Sequence, residues 1–314
     1  MTSPVLARKA KLKNHLVSAK AKLKHHVTPR RVVLLAASSF SVLLILLTLR
    51  TLHSASRSAT AASSSTPTAV AGAQQQQKTC TSLPASVAEA LVHYATSNET
   101  PPRQTAAEAG AAARVLSRRA PCNLLVFGVG PDAALWAALN HGGRTLFLDS
   151  DADRIAAALV SGLDLDAHPV TYQQQTAISD ELLLAVRNSS DCASPPKALS
   201  PEHLENSACA VAPRGMPAAF YEAEWDVIMA VGGRGASSPA VVVPGAVYTA
   251  GVAARARRPG MGETDVLVHG VDGAAEESFT RAFLCEGYLK EEAGRLRHFV
   301  IPSHRDKEAM AFCP

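Results

Sequence analysis

NLLVFGVGPDAALWAALNHGGRTLFLDSDAD, residues 123–153, decides the fold. Asn123 to Val129 is a short run apolar on both faces, as suits a strand buried between two helix layers. Gly128 and Gly130 punctuate its end, Pro131-Asp132 suits a helix start, and Ala133 to Leu139 reads as that helix. Asn140-His141-Gly142-Gly143 stops it, because glycine accepts the left-handed backbone of a helix cap. Thr145 to Leu148 is a second buried strand, with Asp149 at its carboxyl end. Strand, glycine turn, helix, strand, acid is the opening of a doubly wound α/β sheet, in which the glycines admit a ligand to the backbone and the acid accepts hydrogen bonds from a ribose. Asp149 follows Gly130 by 19 residues, against about 20 in that arrangement. Ala134 stands near where a third glycine would come, so a tight turn with no ligand remains open.

On either side of this stretch the pattern alternates helix and strand. Leu83 to Tyr94 and Thr105 to Arg118 read as two helices ahead of the first strand. Asp151 to Leu163 follows as a helix, Val170 to Tyr172 as a third strand and Ile178 to Arg187 as a helix. Asn188 to Met216, rich in Pro, Ser and Ala, reads as a long loop. Trp225 to Val231 is a fourth strand, Val247 to Ala256 a helix, Asp265 to His269 a fifth strand, Glu277 to Leu284 a helix and Leu296 to Ile301 a late strand. The expectation is a mostly parallel sheet with helices on both faces.

The net charge of +4 hides an uneven distribution. Residues 1–31 hold nine Lys/Arg and no acid, and the first acid of the chain is Glu89. Residues 58–314 hold 20 Lys/Arg against 27 Asp/Glu, so the body is mildly acidic. No basic, aromatic-interleaved patch argues for nucleic acid. Val32 to Leu49 is uncharged for 18 residues, which as a helix spans roughly 27 Å, near the hydrocarbon thickness of a bilayer. A cleaved signal peptide or a buried helix are the alternatives to a retained anchor. The expected layout is a cytosolic tail over 1–31, a transmembrane anchor over 32–49, a flexible stem over 50–82 and a lumenal domain over 83–314. The short span suits a membrane early in the secretory pathway. Asn98 and Asn188 open N-x-[ST] acceptors, which matter only in a lumen.

Of six cysteines none forms a CxxC pair, which argues against zinc. Cys192 with Cys209 would close the long loop, and Cys80 with Cys313 would clamp the domain ends, although sequence does not fix connectivity. Asp149, Asp151 and Asp153 alternate as a calcium loop does, but Arg154 and Val160 replace its glycine and glutamate. Asp151 and Asp153 suit a helix N-terminus instead. His269 closes the fifth strand, where it is a candidate general base or a packed structural histidine. Arg234, in GGRG, is a candidate ligand of a sugar carboxylate or a solvated loop residue.

ALVHYATSN (90–98), APCNLLVFGVG (120–130), LWAALNHGGRTLFLD (135–149), EWDVIM (224–229), YTAGVAARAR (248–257), GETDVLVH (262–269), FLCEGYL (283–289) and GRLRHFVIPSHR (294–305) resemble the plant glucuronoxylan 4-O-methyltransferase and irregular-xylem-15 family. The C-terminal segment is similar to the irregular-xylem branch. The resemblance implies Golgi type II membrane proteins of xylan biosynthesis with an S-adenosylmethionine-dependent, Rossmann-like sheet. It implies glucuronoxylan or a related acidic polysaccharide, the Golgi membrane and other xylan-synthesis proteins as partners. Gly128, Gly130 and Asp149 would then hold S-adenosylmethionine, and His269 and Arg234 would face the sugar. Two family aspartates are replaced, by Val231 after the fourth strand and by Gly270 after the fifth. Loss of an essential base costs about 10²–10⁴-fold in rate, so a non-catalytic xylan factor is the competing expectation. A glycosyltransferase shares the layout, but the DSD echo of a metal-binding motif falls on the expected ribose acid.

Overall fold

The structure, a computed structural model, describes residues 83–313 apart from 98–102, 161, 163, 174–177, 194, 197, 233–242 and 307–310. These residues fall in one unit, Gln77–Pro314. The expected tail, anchor and stem lie outside the described residues, among which no helix is long and apolar enough to cross a membrane.

Two helices, α1 (Ala85–Ser97) and α2 (Ala106–Arg119), precede β1 (Asn123–Phe127), α3 (Ala133–Leu139), β2 (Arg144–Asp149), α4 (Ala152–Val160) and β3 (Asp166–Pro169). A run of short elements follows: β4 (Thr171–Tyr172), α5 (Asp180–Arg187), α6 (Ser190–Ala193), α7 (Pro201–Glu205), β5 (Pro213–Arg214) and α8 (Ala218–Tyr221). Then come β6 (Val227–Val231), α9 (Pro244–Ala256), β7 (Thr264–His269), α10 (Ala274–Leu284) and the hairpin of β8 (Leu289–Ala293) with β9 (Leu296–Ile301).

The main sheet has seven strands in the order β3-β2-β1-β6-β7-β9-β8. The first five are parallel, and β9 runs antiparallel to both β7 and β8. From β1 the chain winds outward to β2 and β3, then returns to place β6 on the other side of β1. The winding therefore reverses between β1 and β6, and the crevice of such a sheet opens outside the strand carboxyl ends at that point. Side chains alternate faces along each strand and both faces are covered. Leu124, Val126, Phe147, Val227, Met229 and Leu267 pack under α1, α2 and α3. Leu125, Phe127, Leu146, Leu148, Ile228, Val266 and Val268 pack under α9, α10 and α5. Every residue of α9 is buried, which fits a helix mostly of Ala, Gly and Val whose one charged side chain, Arg255, donates to the Gly251 and Phe312 carbonyls.

Asn140 does more than end α3. Its buried amide accepts from the Cys122 N–H (3.0 Å) and donates to the Cys122 and Arg144 carbonyls and to the Thr145 hydroxyl, pinning the starts of β1 and β2 together. Gly142 has φ +82°, the left-handed turn expected there.

The third strand differs from expectation. β3 is Asp166–Pro169, while Thr171–Tyr172 pairs with Pro213–Arg214 in a separate two-stranded sheet. β3 is a half-exposed edge strand, so it lacks the apolar run that marks a buried one, and an edge tolerates its proline. β8, LKEEA, is likewise a half-exposed edge that no apolar signal announces. The long loop carries α6 and α7 and is closed by the expected Cys192–Cys209 disulfide. The second pairing is a correction: Cys313 bonds to Cys285 rather than to Cys80, which lies outside the described residues. The bond seats Phe312 among Tyr248, Phe283 and the buried Arg255 side chain. With a sequence separation of 17 between its cysteines, the Cys192–Cys209 loop constrains the unfolded chain by about 3 kcal/mol. Cys192→Ala with Cys209→Ala should cost that order of stability in a denaturant titration.

Candidate functional site

The glycine turn and the acid meet. The Val129 N–H, between the two glycines, donates to Asp149 Oδ2 at 2.7 Å. Asp149 is 3% exposed, and its Oδ1 accepts from the Asp151 N–H (2.9 Å) and the Arg154 guanidinium (2.6 Å). An ionised carboxylate has about four acceptor positions, so one remains on this group. Asp151 accepts from the N–H groups of Asp153 and Arg154, which makes it the N-cap of α4, as its position suggests.

Each glycine is required for a local reason. Gly128 has φ +104°, and a Cβ there would lie 2.5 Å from the Val231 carbonyl oxygen. A Cβ on Gly130 would coincide with Nη1 of Arg103. The backbone expected to lie bare at the turn is thus covered at Gly130 by a guanidinium of the same chain. Arg103 donates Nε–H to the Gly232 carbonyl (3.1 Å), Nη2–H to the carbonyls of Val231 (3.3 Å) and Gly232 (2.7 Å), and Nη1–H to Asp132 (2.9 Å). These bonds use four of the five donors of the fork. Asp132 stands at the start of α3 but makes no cap bond, since its carboxylate serves Arg103 and Gln104.

What holds Arg103 there is the start of α2. Thr105 and Glu108 form a capping box, with the Thr105 N–H donating to Glu108 Oε2 (2.7 Å). Glu108, 1% exposed, also accepts from the Arg295 N–H (2.7 Å) in the β8–β9 turn. Arg295 in turn donates to the Arg103 carbonyl at 3.0 Å. Burial alone would raise the Glu108 carboxyl pKa; the N–H groups of Thr105 and Arg295 and the nearby His269 and Arg295 charges hold it low. A segment ahead of the first strand is thereby stapled across the carboxyl ends of β6 and β7.

His269 pairs in register with Val231 and is 1% exposed. Neither ring nitrogen has a hydrogen-bond partner, although Glu108 Oε2 lies 3.4 Å from Nε2. Of the two roles open to it, this burial favours the packed histidine over a base in contact with solvent. Burial pushes its pKa down to about 4; Glu108 opposes the drop and Arg295 and Arg103 add to it. Unfolded, it titrates near 6.5. Between those values the unfolded chain binds a proton that the folded chain does not, so stability falls as pH drops through the window. From pH 7 to pH 5 the loss should be about 2 kcal/mol, read by denaturant titration, and His269→Leu should remove it. Val231 packs in the cluster under α2, and Gly270 has φ +97°, a backbone that strains any side chain. Arg234 lies outside the described residues.

The turn therefore gathers Gly128, Gly130 and Asp149 as expected, and adds Arg103, Gln104, Asp132 and Arg154. The T-x-x-E spacing of Thr105 and Glu108 marks a helix start in the sequence. Nothing local marks Arg103, whose partners Val231 and Gly232 stand 128 and 129 residues away.

S-adenosylmethionine presents a ribose diol, an adenine and an amino-acid end. A carboxylate with an acceptor position left, beside a turn carrying a guanidinium with a donor left, fits the first and last of these. A family model described as IRX15/IRX15L/GXM matches residues 107–299. Glucuronoxylan 4-O-methyltransferase 2 of Arabidopsis thaliana is 46% identical, over 75% of this chain and 78% of its own. Arabinogalactan O-methyltransferase 2 of the same plant is 39% identical over 68% and 72%. Its Protein IRREGULAR XYLEM 15 is 32% identical over 74% and 71%. Identity is higher to the glucuronoxylan methyltransferase than to the irregular-xylem protein, whereas the C-terminal segment leads to the expectation of the irregular-xylem branch.

Proposed function

The chain belongs to the IRX15/IRX15L/GXM family, and from that premise we propose that it is a methyltransferase of xylan biosynthesis that moves a methyl group from S-adenosylmethionine to O4 of glucuronic acid on glucuronoxylan. The observation that carries this reading is the 2.7 Å bond from the Val129 N–H to Asp149, which sets the acid at the glycine turn of the switch point. The donor supplies an electrophilic methyl on a sulfonium. Asp149 accepts from the ribose once Arg154, whose side chain is 34% exposed, swings aside. Gly128 and Gly130 let the backbone and Arg103 close on the ligand. Arg234 is the candidate for the uronic carboxylate, and His269 is the candidate base for the O4 proton if the crevice opens toward it.

A second reading, a non-catalytic xylan factor with the same fold, is favoured by Val231 and Gly270. The two family carboxylates at the crevice mouth are absent, and the histidine between the strands is buried. Full-length chain incubated with isotope-labelled donor and unmethylated glucuronoxylan separates the two. Label in 4-O-methylglucuronic acid supports the enzyme. Donor binding with no transfer supports the factor, and Val231→Asp should then gain turnover if the chain is a decayed enzyme.

The domain is proposed to face the Golgi lumen, anchored by residues 32–49. Two disulfides support an oxidising compartment. Asn188, exposed at the end of α5, is then glycosylated. Glycosidase treatment of the plant-expressed chain should lower its apparent mass, and Asn188→Gln should remove part of that shift. A chain of unmodified mass would contradict a lumenal domain.

A further inference from the structure

We propose that Cys313 is a thiol-exchange site: a low-molecular-weight thiol of the glutathione class opens the Cys285–Cys313 bond by attack on Cys313, and Arg255 receives the Cys285 thiolate that departs. The two disulfides of the described residues differ in access. Cys192 and Cys209 are 1% and 0% exposed, so an attacking thiol reaches neither. Cys285 is 5% exposed, whereas Cys313 lies at the surface. A thiolate arriving from solvent therefore meets Cys313 first, and exposed disulfides are the ones that exchange.

The leaving side suits a thiolate. Arg255, 1% exposed, donates Nη2–H to Cys285 Sγ at 3.1 Å, Nη1–H to the Gly251 carbonyl (2.9 Å) and Nε–H to the Phe312 carbonyl (3.1 Å). Among the described residues no carboxylate pairs with this guanidinium, and burial pushes its pKa down to about 10. A buried cation without a counterion is costly, and a thiolate at Cys285 supplies one. Two features oppose that thiolate. Cys285 caps the C-terminus of α10, where a helix carries about half a negative charge, and Glu286 follows it. Glu286 is taken up by Arg281, and a full positive charge in contact with the sulfur outweighs a partial one spread over the helix end. A thiol stabilised as its thiolate leaves faster and shifts the equilibrium toward the open bond. The backbone adds to this. Cys285 has φ +73°, the one positive φ outside glycine among the described residues, and an open bond lets it relax.

In the first step the sulfur of the incoming thiolate bonds to Cys313 Sγ as the Cys285–Cys313 bond breaks, and Cys285 keeps the electron pair. Cys313 is left as a mixed disulfide. A second reagent thiol attacks that adduct, leaving Cys313 as a thiol and the reagent as its own disulfide. Two reagent thiols are thus oxidised for one protein disulfide reduced, with one proton passing to Cys313 and one to solvent. Opening frees Phe312 from Tyr248, Phe283 and Arg255, and so unclamps the end of the chain from α9 and α10.

The test exposes the full-length chain, purified in detergent with its reactive free thiols alkylated, to glutathione buffers of increasing reducing strength. Acid stops the exchange, and mass spectrometry reads each cysteine peptide. Cys122, buried and with its thiol pushed up to about 12, does not compete. In wild type a glutathione adduct should form on Cys313, with Cys285 free, while Cys192–Cys209 stays closed. Arg255→Leu should lower the equilibrium constant for opening by about tenfold to a hundredfold, the range for a lost charge-assisted bond, and Arg255→Lys should recover part of it. The sign separates this role from packing: were Arg255 only a support for the end of the chain, its loss would make the bond easier to open. Cys192–Cys209 opening first, the adduct forming on Cys285, or neither pair opening in the folded chain overturns the proposal. So does an Arg255→Leu chain that opens as readily as wild type. Should that variant fail to fold, the order of opening and the position of the adduct in wild type decide.

Discussion

Asp149→Ala is expected to abolish S-adenosylmethionine binding and to cost about 2–4 kcal/mol of stability, the sum expected when two buried N–H donors and a cation lose one acceptor. The Val129 and Asp151 N–H groups and the Arg154 guanidinium all end on this carboxylate. Asp149→Asn separates the two effects. The amide keeps the shape and one acceptor, so the fold should survive. Loss of the charge should still weaken the donor by roughly tenfold or more, as for other charge-assisted bonds. Calorimetry gives the affinity and denaturant titration gives the stability. Full donor affinity in Asp149→Ala would remove the acid from the site.

The second large effect is structural and reaches the site indirectly. Glu108→Ala should cost about 3–5 kcal/mol, the range for breaking a buried ionic contact. For a unit of this size that is a melting temperature lower by roughly 6–20 °C. The residue ends the capping box, accepts from the β8–β9 turn and faces His269, so its loss frees three neighbours at once. It also loosens the segment that lays Arg103 on Gly130, so donor affinity should fall in the variant even where it remains folded. Arg295→Ala removes the more exposed partner, whose backbone N–H still bonds Glu108, and should cost less. Equal losses for the two substitutions would contradict this account of the staple.

The two mechanisms differ in how visible they are in the sequence. β1, α3 and β2 could be read because both strands are apolar on both faces and glycines punctuate the turns. Leu124 and Leu125 point into opposite clusters, and each strand residue from Leu124 to Phe127 is buried. β3 and β8 could not, since half-exposed edge strands carry polar residues wherever they meet water. Cys192–Cys209 was legible as the closure of one long loop. Cys285–Cys313 depends on the C-terminal segment folding back over α10, which no local pattern encodes. At the site the same division holds. Gly128, Gly130 and Asp149 announce themselves by spacing, whereas Arg103 reaches the turn only through contacts formed across most of the domain. Val231 and Gly270, expected from the resemblance to be departures from a family pattern, have a physical place in this fold: a side chain packed under α2, and a left-handed backbone that suits glycine.

One titration bears most directly on the central idea, that the turn and Asp149 hold an adenosine-bearing methyl donor. S-adenosylmethionine is added to the full-length chain in a calorimeter. The structure predicts one site with a dissociation constant on the order of 1–100 μM, in the range of ordinary enzyme substrates, that Asp149→Ala eliminates. No saturable heat up to roughly 1 mM, the upper end of that range, would contradict it.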